Sequence, residues 1–225
     1  DNYYYKKDHY SFFERITKFY GSLFTKRLPF FLMKDYIHLL QSEYSRQHLL
    51  GKKFEKIFIG DYIHYEDASC NTDKKELRVL YNPAKGFHIT KDLIQKNPDL
   101  EFIPLAGYSL KELQRIMNSS AIYIDFGNHP GRDRLPREFV LKGGIVITGK
   151  RGSASNEIDI PIPQKYKFDT DNADFHQQFQ ILVKEISKNN EISQREMRNY
   201  RNIVLSDPQS HSKNVKNFLS YIDSL

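Results

Sequence analysis

From Arg78 onward, short apolar runs alternate with segments whose apolar residues recur at helical spacing. RVLYN, EFIPLA, AIYIDFG and GIVITG have the length of buried strands, while ITKDLIQKN, SLKELQRIMNSS and PREFVLKG read as helices. Pro98 stops the first of these helices. Ser109 and Glu112 form a capping box at the start of the second, each satisfying a backbone N–H that a helix end leaves unpaired. Strands separated by helices of this length pair in parallel through right-handed crossovers. Further on, Phe175, Phe179, Leu182, Val183 and Ile186 make one helical stripe, and Val215, Phe218, Leu219 and Ile222 make another. The pattern predicts an α/β fold, a Rossmann-like doubly wound parallel sheet over residues 77–225 with helical amino- and carboxyl-terminal extensions.

Upstream the pattern is different. The stretch from Ile37 to Ile63 reads as strand, helix, a stop at Gly51 and a second strand around Ile57 to Ile59, a remnant of another domain within residues 1–66. Residues 67–76, DASCNTDKKE, have no apolar periodicity and are the expected interdomain linker. Nearer the amino terminus, Phe12, Phe13, Ile16, Phe19, Tyr20, Leu23 and Phe24 fall on one helical face, and Glu14, Arg15, Lys18 and Lys26 on the other. This amphipathic helix ends before Pro29. Its apolar face either packs on a neighbouring domain or docks on an anionic membrane surface, and periodicity alone leaves both open.

Charge adds one qualification. The net charge of +6 is concentrated at the amino end, where residues 1–34 hold seven basic side chains against three acidic ones, together with eleven aromatics. The α/β part carries no basic strip interleaved with aromatics, which argues against nucleic acid as a partner. A single cysteine, Cys70, excludes an internal disulfide framework and a multi-cysteine metal site, and it fits a reducing cytoplasm. No run reaches the roughly 18 to 20 apolar residues of a membrane span. The chain starts at Asp1 rather than at methionine, so a fragment of a longer protein is expected.

The chemistry gathers in the loops that follow the strands, because ligands of open α/β sheets bind at the strands' carboxyl ends. Lys85 and Gly86 precede a helix whose free N–H groups and dipole attract phosphate. Tyr108 is placed to lie against a flat base or to cover the edge of the core. The richest loop holds His129, Pro130, Gly131, Arg132, Asp133 and Arg134, followed by Glu138. Arg132 and Arg134 are phosphate candidates because a guanidinium grips a diphosphate with two parallel hydrogen bonds. Asp133 and Glu138 suit sugar hydroxyls as acceptors, and histidine chemistry makes His129 an acid/base candidate. A fourth loop offers Arg151, Gly152, Ser153 and Glu157, with small residues that let backbone approach a ligand. Asp169 and Asp171 have the spacing of a metal-binding pair but lie beyond these loops, so they read as a polar turn.

The segment PREFVLKGGIVITGKRGSASNEIDIP resembles the nucleotide-sugar-binding stretch of glycosyltransferases with the two-domain GT-B fold, of the family 4 and family 1 kind. Those enzymes have a glutamate opening a short helix, a small-residue turn, a hydrophobic strand, a glycine-containing loop and a second glutamate. Here these are Glu138, Gly143 with Gly144, Ile145 to Ile147, Gly152 and Glu157. YNPAKGF is similar to their first strand and lysine-glycine loop, and the likeness extends over roughly residues 37–160. It implies that Glu138 bonds the ribose of a nucleotide sugar, and that Lys85 and an arginine of the 132–134 loop hold its diphosphate. It further implies transfer to a glycan or lipid-linked acceptor without cofactor or metal, in the cytoplasm and peripherally at the inner face of a membrane. Many retaining members carry another glutamate eight positions before the helix glutamate; here that position is Pro130. Asp133 and His129 are put forward as the catalytic groups in its place. The acceptor site of such enzymes lies in the amino-terminal domain, so donor binding without turnover is expected of this chain. An epimerase on the same fold would share the diphosphate contacts but needs further acid/base carboxylates.

Overall fold

A computed structural model describes residues 30–65 and 75–225 of the chain. The amphipathic helix expected from Phe12 to Phe24 and nearly all of the expected linker lie outside the described residues. The last linker residue, Glu76, already belongs to a strand.

The larger body is a five-stranded parallel sheet built from β3 (Glu76–Tyr81), β4 (Glu101–Pro104), β5 (Ser120–Asp125), β6 (Ile145–Gly149) and β7 (Lys167–Phe168). Between them run α2 (Phe87–Lys96), α3 (Leu110–Ser119) and α4 (Arg134–Leu141), followed by α5 (Phe175–Lys188), α6 (Asn190–Glu196) and α7 (Arg198–Ile222). Every residue of β5 and β6 is buried. This is why their sequences are continuous apolar runs rather than alternating ones: helices cover both faces of a parallel sheet. The capping box at Ser109 and Glu112 forms as expected. β7 escapes sequence inspection because it is two residues long and follows Pro161 and Pro163.

The strands lie in the order β4-β3-β5-β6-β7. The chain therefore leaves β3 toward β4 on one side and returns to β5 on the other. The connections reverse direction there, and it is at such a switch point, at the carboxyl ends of β3 and β5, that an open α/β sheet has its crevice.

The upstream piece is a second parallel pair, β1 (Ile37–Leu40) with β2 (Glu55–Phe58), joined through α1 (Glu43–His48). It is fastened to the larger body by Asp159, which is almost wholly buried. The Asp159 carboxylate accepts from the backbone N–H groups of Glu43 at 2.8 Å and Tyr44 at 2.9 Å. A helix start leaves such donors unpaired, and here the acceptor comes from a loop 116 residues downstream. Asn156 steadies it, donating from Nδ2 to the same carboxylate at 2.8 Å and accepting the Asp159 N–H at 2.8 Å.

Asp159→Ala strands these two donors and should lower stability by roughly 1–3 kcal/mol. Asp159→Asn, which keeps one acceptor oxygen, should lose less. Urea unfolding and the rate of proteolysis in the 30–65 region measure both, and an unchanged midpoint would show that α1 is held by something else.

Candidate functional site

The four loops singled out from sequence follow β3, β4, β5 and β6 and so converge on one edge of the sheet. At the crevice between β3 and β5 the backbones touch. Gly86 sits in the left-handed region at φ 59° as the N-cap of α2, and a Cβ there would lie 2.6 Å from both the Phe126 carbonyl carbon and the Gly127 nitrogen. A Cβ on Gly127 would in turn lie 2.7 Å from the Lys85 Cβ. Two glycines thus let the two loops pinch together. Lys85 is left at the mouth of the crevice, one residue before the cap of α2.

Behind Lys85 lies a line of polar groups running into the core. The Lys85 ammonium donates to Asp133 Oδ2 at 2.5 Å, and His129 Nδ1 lies 2.8 Å from the same oxygen. His129 Nε2 faces Asp125 Oδ1 at 3.5 Å. Asp125 is held in turn, accepting the Gly127 N–H on Oδ1 and the Tyr123 hydroxyl on Oδ2 at 3.1 Å. Side-chain exposure is zero at His129, 2% at Asp125, 15% at Asp133 and 30% at Lys85. Burial pushes the Asp133 carboxyl up, but His129 and Lys85 beside it outweigh burial and hold it below the usual carboxylate range. Burial, reinforced by Asp125, pushes the Tyr123 phenol well above its ordinary value and keeps it a proton donor.

The ligand-type atoms of Asp125, His129 and Asp133 lie within 4.8 Å of one another, a spacing that a metal ion could bridge. The orientation does not suit one. Metal ligands converge on a common point, whereas the two nitrogens of His129 address different carboxylates and the Lys85 ammonium already occupies the outer side of Asp133. An ion-pair cluster describes the arrangement better.

The remaining candidates separate into those that face the crevice edge and those that do not. Arg132, expected to grip phosphate, instead forks onto Asp207 of α7 at 2.9 and 2.8 Å, with side-chain exposures of 8% and 7%. Burial pulls its guanidinium down, but the Asp207 pairing more than compensates and it stays charged. That expectation is corrected: both prongs of the fork are already used inside the protein. His129, expected as an acid/base group, has no exposed surface, and its Nδ1 faces Asp133 rather than the crevice mouth. Arg134 is exposed and donates to Glu138 at 2.6 Å across one turn of α4. Asp133 is the N-cap residue of α4, but its carboxylate turns to Lys85 and His129 instead of capping. Tyr108 is exposed in the loop after β4. Gly152, at φ 63°, bridges His129, and the next residue, Ser153, donates from N to His129 O and from Oγ to Gly131 O. This ties the fourth loop to the third. Arg151 is turned away, toward Thr170 and Asp171, and Glu157 accepts from Gln164. Asp169 accepts the Asp171 N–H in the expected polar turn.

Sequence reasoning missed Asp125, Tyr123 and Arg137. The signal for Asp125 was present, a carboxylate ending an otherwise apolar strand. Arg137, 2% exposed, donates to Asp61 Oδ2 at 2.7 Å and to the Arg132 carbonyl at 2.6 Å. Its partner lies 76 residues away, beyond any local pattern. Gln41, at the end of β1, also reaches this region: a Cβ on Gly131 would meet its Nε2 at 2.7 Å.

The sequence matches no family model and no curated protein. Solved structures do match in fold. HepE from Anabaena in complex with UDP aligns with a TM-score of 0.59 at 14% identity, over 86% of this chain and 66% of that one. The same protein in complex with UDP-glucose aligns with a TM-score of 0.58 at 12% identity, over 84% and 65%. A glycosyltransferase from Rickettsia africae aligns with a TM-score of 0.61 at 14% identity, over 95% and 68%. The chain thus spans about two thirds of the length of these structures and shares their fold.

Two substitutions separate the arginines. Arg132→Ala leaves Asp207 buried without its fork and should cost on the order of 3–5 kcal/mol, whereas Arg134→Ala, at an exposed pair, should leave the unfolding midpoint nearly unchanged. Asp133 makes a pH test. Its carboxyl is depressed in the folded state, so the stability it adds is present above the unfolded value of about pH 4 and is lost as pH falls through the folded value. Asp133→Asn should therefore flatten the fall of stability in that acid range, and an unaltered acid limb would contradict the ion-pair assignment.

Proposed function

We propose that this chain is the donor-binding part of a glycosyltransferase, taking a nucleoside diphosphate sugar at the carboxyl edge of the five-stranded sheet. One observation carries the reading: Lys85 stands at the mouth of the β3/β5 crevice, one residue before the glycine that opens α2. A lysine beside a helix amino terminus, over backbone that only glycine permits, is chemistry suited to a diphosphate. That the HepE structures contain UDP and UDP-glucose supports a uridine diphosphate sugar as the first donor to test.

The chemistry follows from charge. In transfer, the bond from the sugar's anomeric carbon to the diphosphate oxygen breaks and a bond to an acceptor hydroxyl oxygen forms, the hydroxyl proton being lost. Negative charge grows on the departing diphosphate, and preorganised positive groups stabilise it in the transition state. Lys85 and the first turn of α2 supply that charge, and on this reading no metal is needed. Glu138, the fifth residue of α4, is the acceptor for ribose hydroxyls, exchanging its bond from Arg134 for bonds from the sugar. Tyr108 lies on the base side. Arg134, exposed and paired with Glu138, is the arginine that joins Lys85 at the diphosphate in place of the sequestered Arg132.

The finer parts of the reading rest on sequence. A glycan or lipid-linked acceptor, in surface polysaccharide synthesis, agrees with a basic aromatic segment over residues 1–34 suited to an anionic membrane surface. No described helix is long and apolar enough to cross a membrane. Peripheral attachment at the cytoplasmic face is the form proposed, on the strength of that basic aromatic segment.

Calorimetric titration with nucleoside diphosphates and their sugars tests the donor site. Lys85→Ala should weaken binding by about 1.5–3 kcal/mol, the worth of a hydrogen bond to a charged group, and Glu138→Ala by on the order of 1 kcal/mol. If no nucleotide binds, or if neither substitution weakens any of them, the assignment is wrong. Release of an epimerised sugar, free or still on the nucleotide, would move the chain to the isomerase class.

A further inference from the structure

We infer that His129 is a positioning residue that loosens the hold of Asp133 on Lys85, so that the diphosphate of a donor can take the lysine over; the inference rests on the donor-binding reading above. Lys85 is the group that must meet phosphate, yet its ammonium is already paired with a carboxylate that is mostly buried. A lone, partly buried aspartate would be a strong competitor for that lysine, because attraction grows as water is excluded. Asp133 is not alone. The oxygen that accepts from Lys85, Oδ2, is also 2.8 Å from His129 Nδ1. A carboxylate oxygen shared between two partners holds each less tightly than it would hold one.

The His129 ring is placed for this and for nothing at the surface. It is wholly buried, its Nε2 faces Asp125, and Asp125 is fixed by the Gly127 N–H and the Tyr123 hydroxyl. The backbone of His129 is pinned as well, since its carbonyl accepts the Ser153 N–H from the loop after β6 at 2.9 Å. Among the described residues, the charged and titratable groups that face the ring include Asp125 from β5, Asp133 from its own loop and, through Asp133, Lys85 from the loop after β3. When the lysine moves to a phosphate, Asp133 keeps His129 Nδ1 beside the same oxygen at 2.8 Å. The base of the Lys85 side chain is packed against Gly127, where a Cβ would lie 2.7 Å from the Lys85 Cβ, so a change of partner involves the ammonium end of the side chain.

A double-substitution cycle distinguishes this role from a merely structural one. Affinity for UDP is measured for the unsubstituted chain, His129→Gln, Asp133→Asn and the pair. His129→Gln should weaken UDP binding about tenfold. In the pair, removing the Asp133 charge should restore affinity to within about twofold of Asp133→Asn alone. Additive losses would overturn the inference while leaving the donor reading intact. The second measurement needs no nucleotide: hydrogen exchange of the Lys85 ammonium, followed by NMR in the ligand-free protein. Exchange should be slower in His129→Gln, where the lysine is gripped harder, and faster in Asp133→Asn. If no nucleoside diphosphate binds but the exchange rates move in these directions, the donor reading fails and the positioning role stands. Unchanged exchange in His129→Gln overturns the positioning role whatever UDP does.

Discussion

The pairing of β3 with β4 on one side and β5 on the other governs everything at the ligand edge of this protein. Parallel strands send their carboxyl ends to the same edge, and the reversal at β3 separates the loops that leave β3 and β5. Between those loops the backbone can approach only where side chains are missing, and Gly86 and Gly127 stand at that point. Their contact sets the direction of Lys85 and the start of α2. The position of the candidate site is thus a property of topology, and its closeness is a property of two glycines.

A second constraint concerns charge inside the body. Arg132, Arg137, Asp61 and Asp207 join the loop after β5, the first turns of α4, the segment beyond β2 and the carboxyl-terminal helix α7. Arg137 and Asp207 are almost wholly buried. Such a network is costly to desolvate and is kept only where its hydrogen bonds are well made. Here it holds the loop that carries His129 and Asp133 against elements from both ends of the described chain. Asp159 does comparable work for the upstream βαβ piece, capping α1 from a distant loop. The placement of the loop after β5 and the seating of the upstream piece therefore rest on carboxylates and guanidiniums outside the crevice itself.

Much of the fold was legible in the chain because it is written locally. Continuous apolar runs gave β5 and β6, the capping box gave the start of α3, and the alternation of strand and helix gave parallel pairing. The same reasoning assigned Lys85, Gly86, Asp133 and Gly152 to loops at the carboxyl edge, and there Lys85 meets Asp133 and Gly152 meets His129. It failed on Arg132, which has the composition of a phosphate ligand and the environment of a buried structural ion. It passed over Asp125, although a carboxylate closing an apolar strand was a visible anomaly, and over Arg137, which had no local mark at all.

The sequence by itself determined the elements, their order and the residue types available at the carboxyl edge, since hydrophobic period, capping and turn chemistry act over a few residues. Tertiary structure alone decided which of those charges remain available to a ligand. Arg132 and Asp207 are 75 residues apart, Lys85 and Asp133 are 48 apart, and Glu43 and Asp159 are 116 apart. The strength of each pair depends on how much water is excluded around it, a quantity fixed only when distant segments pack together. Two arginines two residues apart in one loop consequently differ in role: Arg132 is held inside the protein by Asp207, and Arg134 stays at the surface.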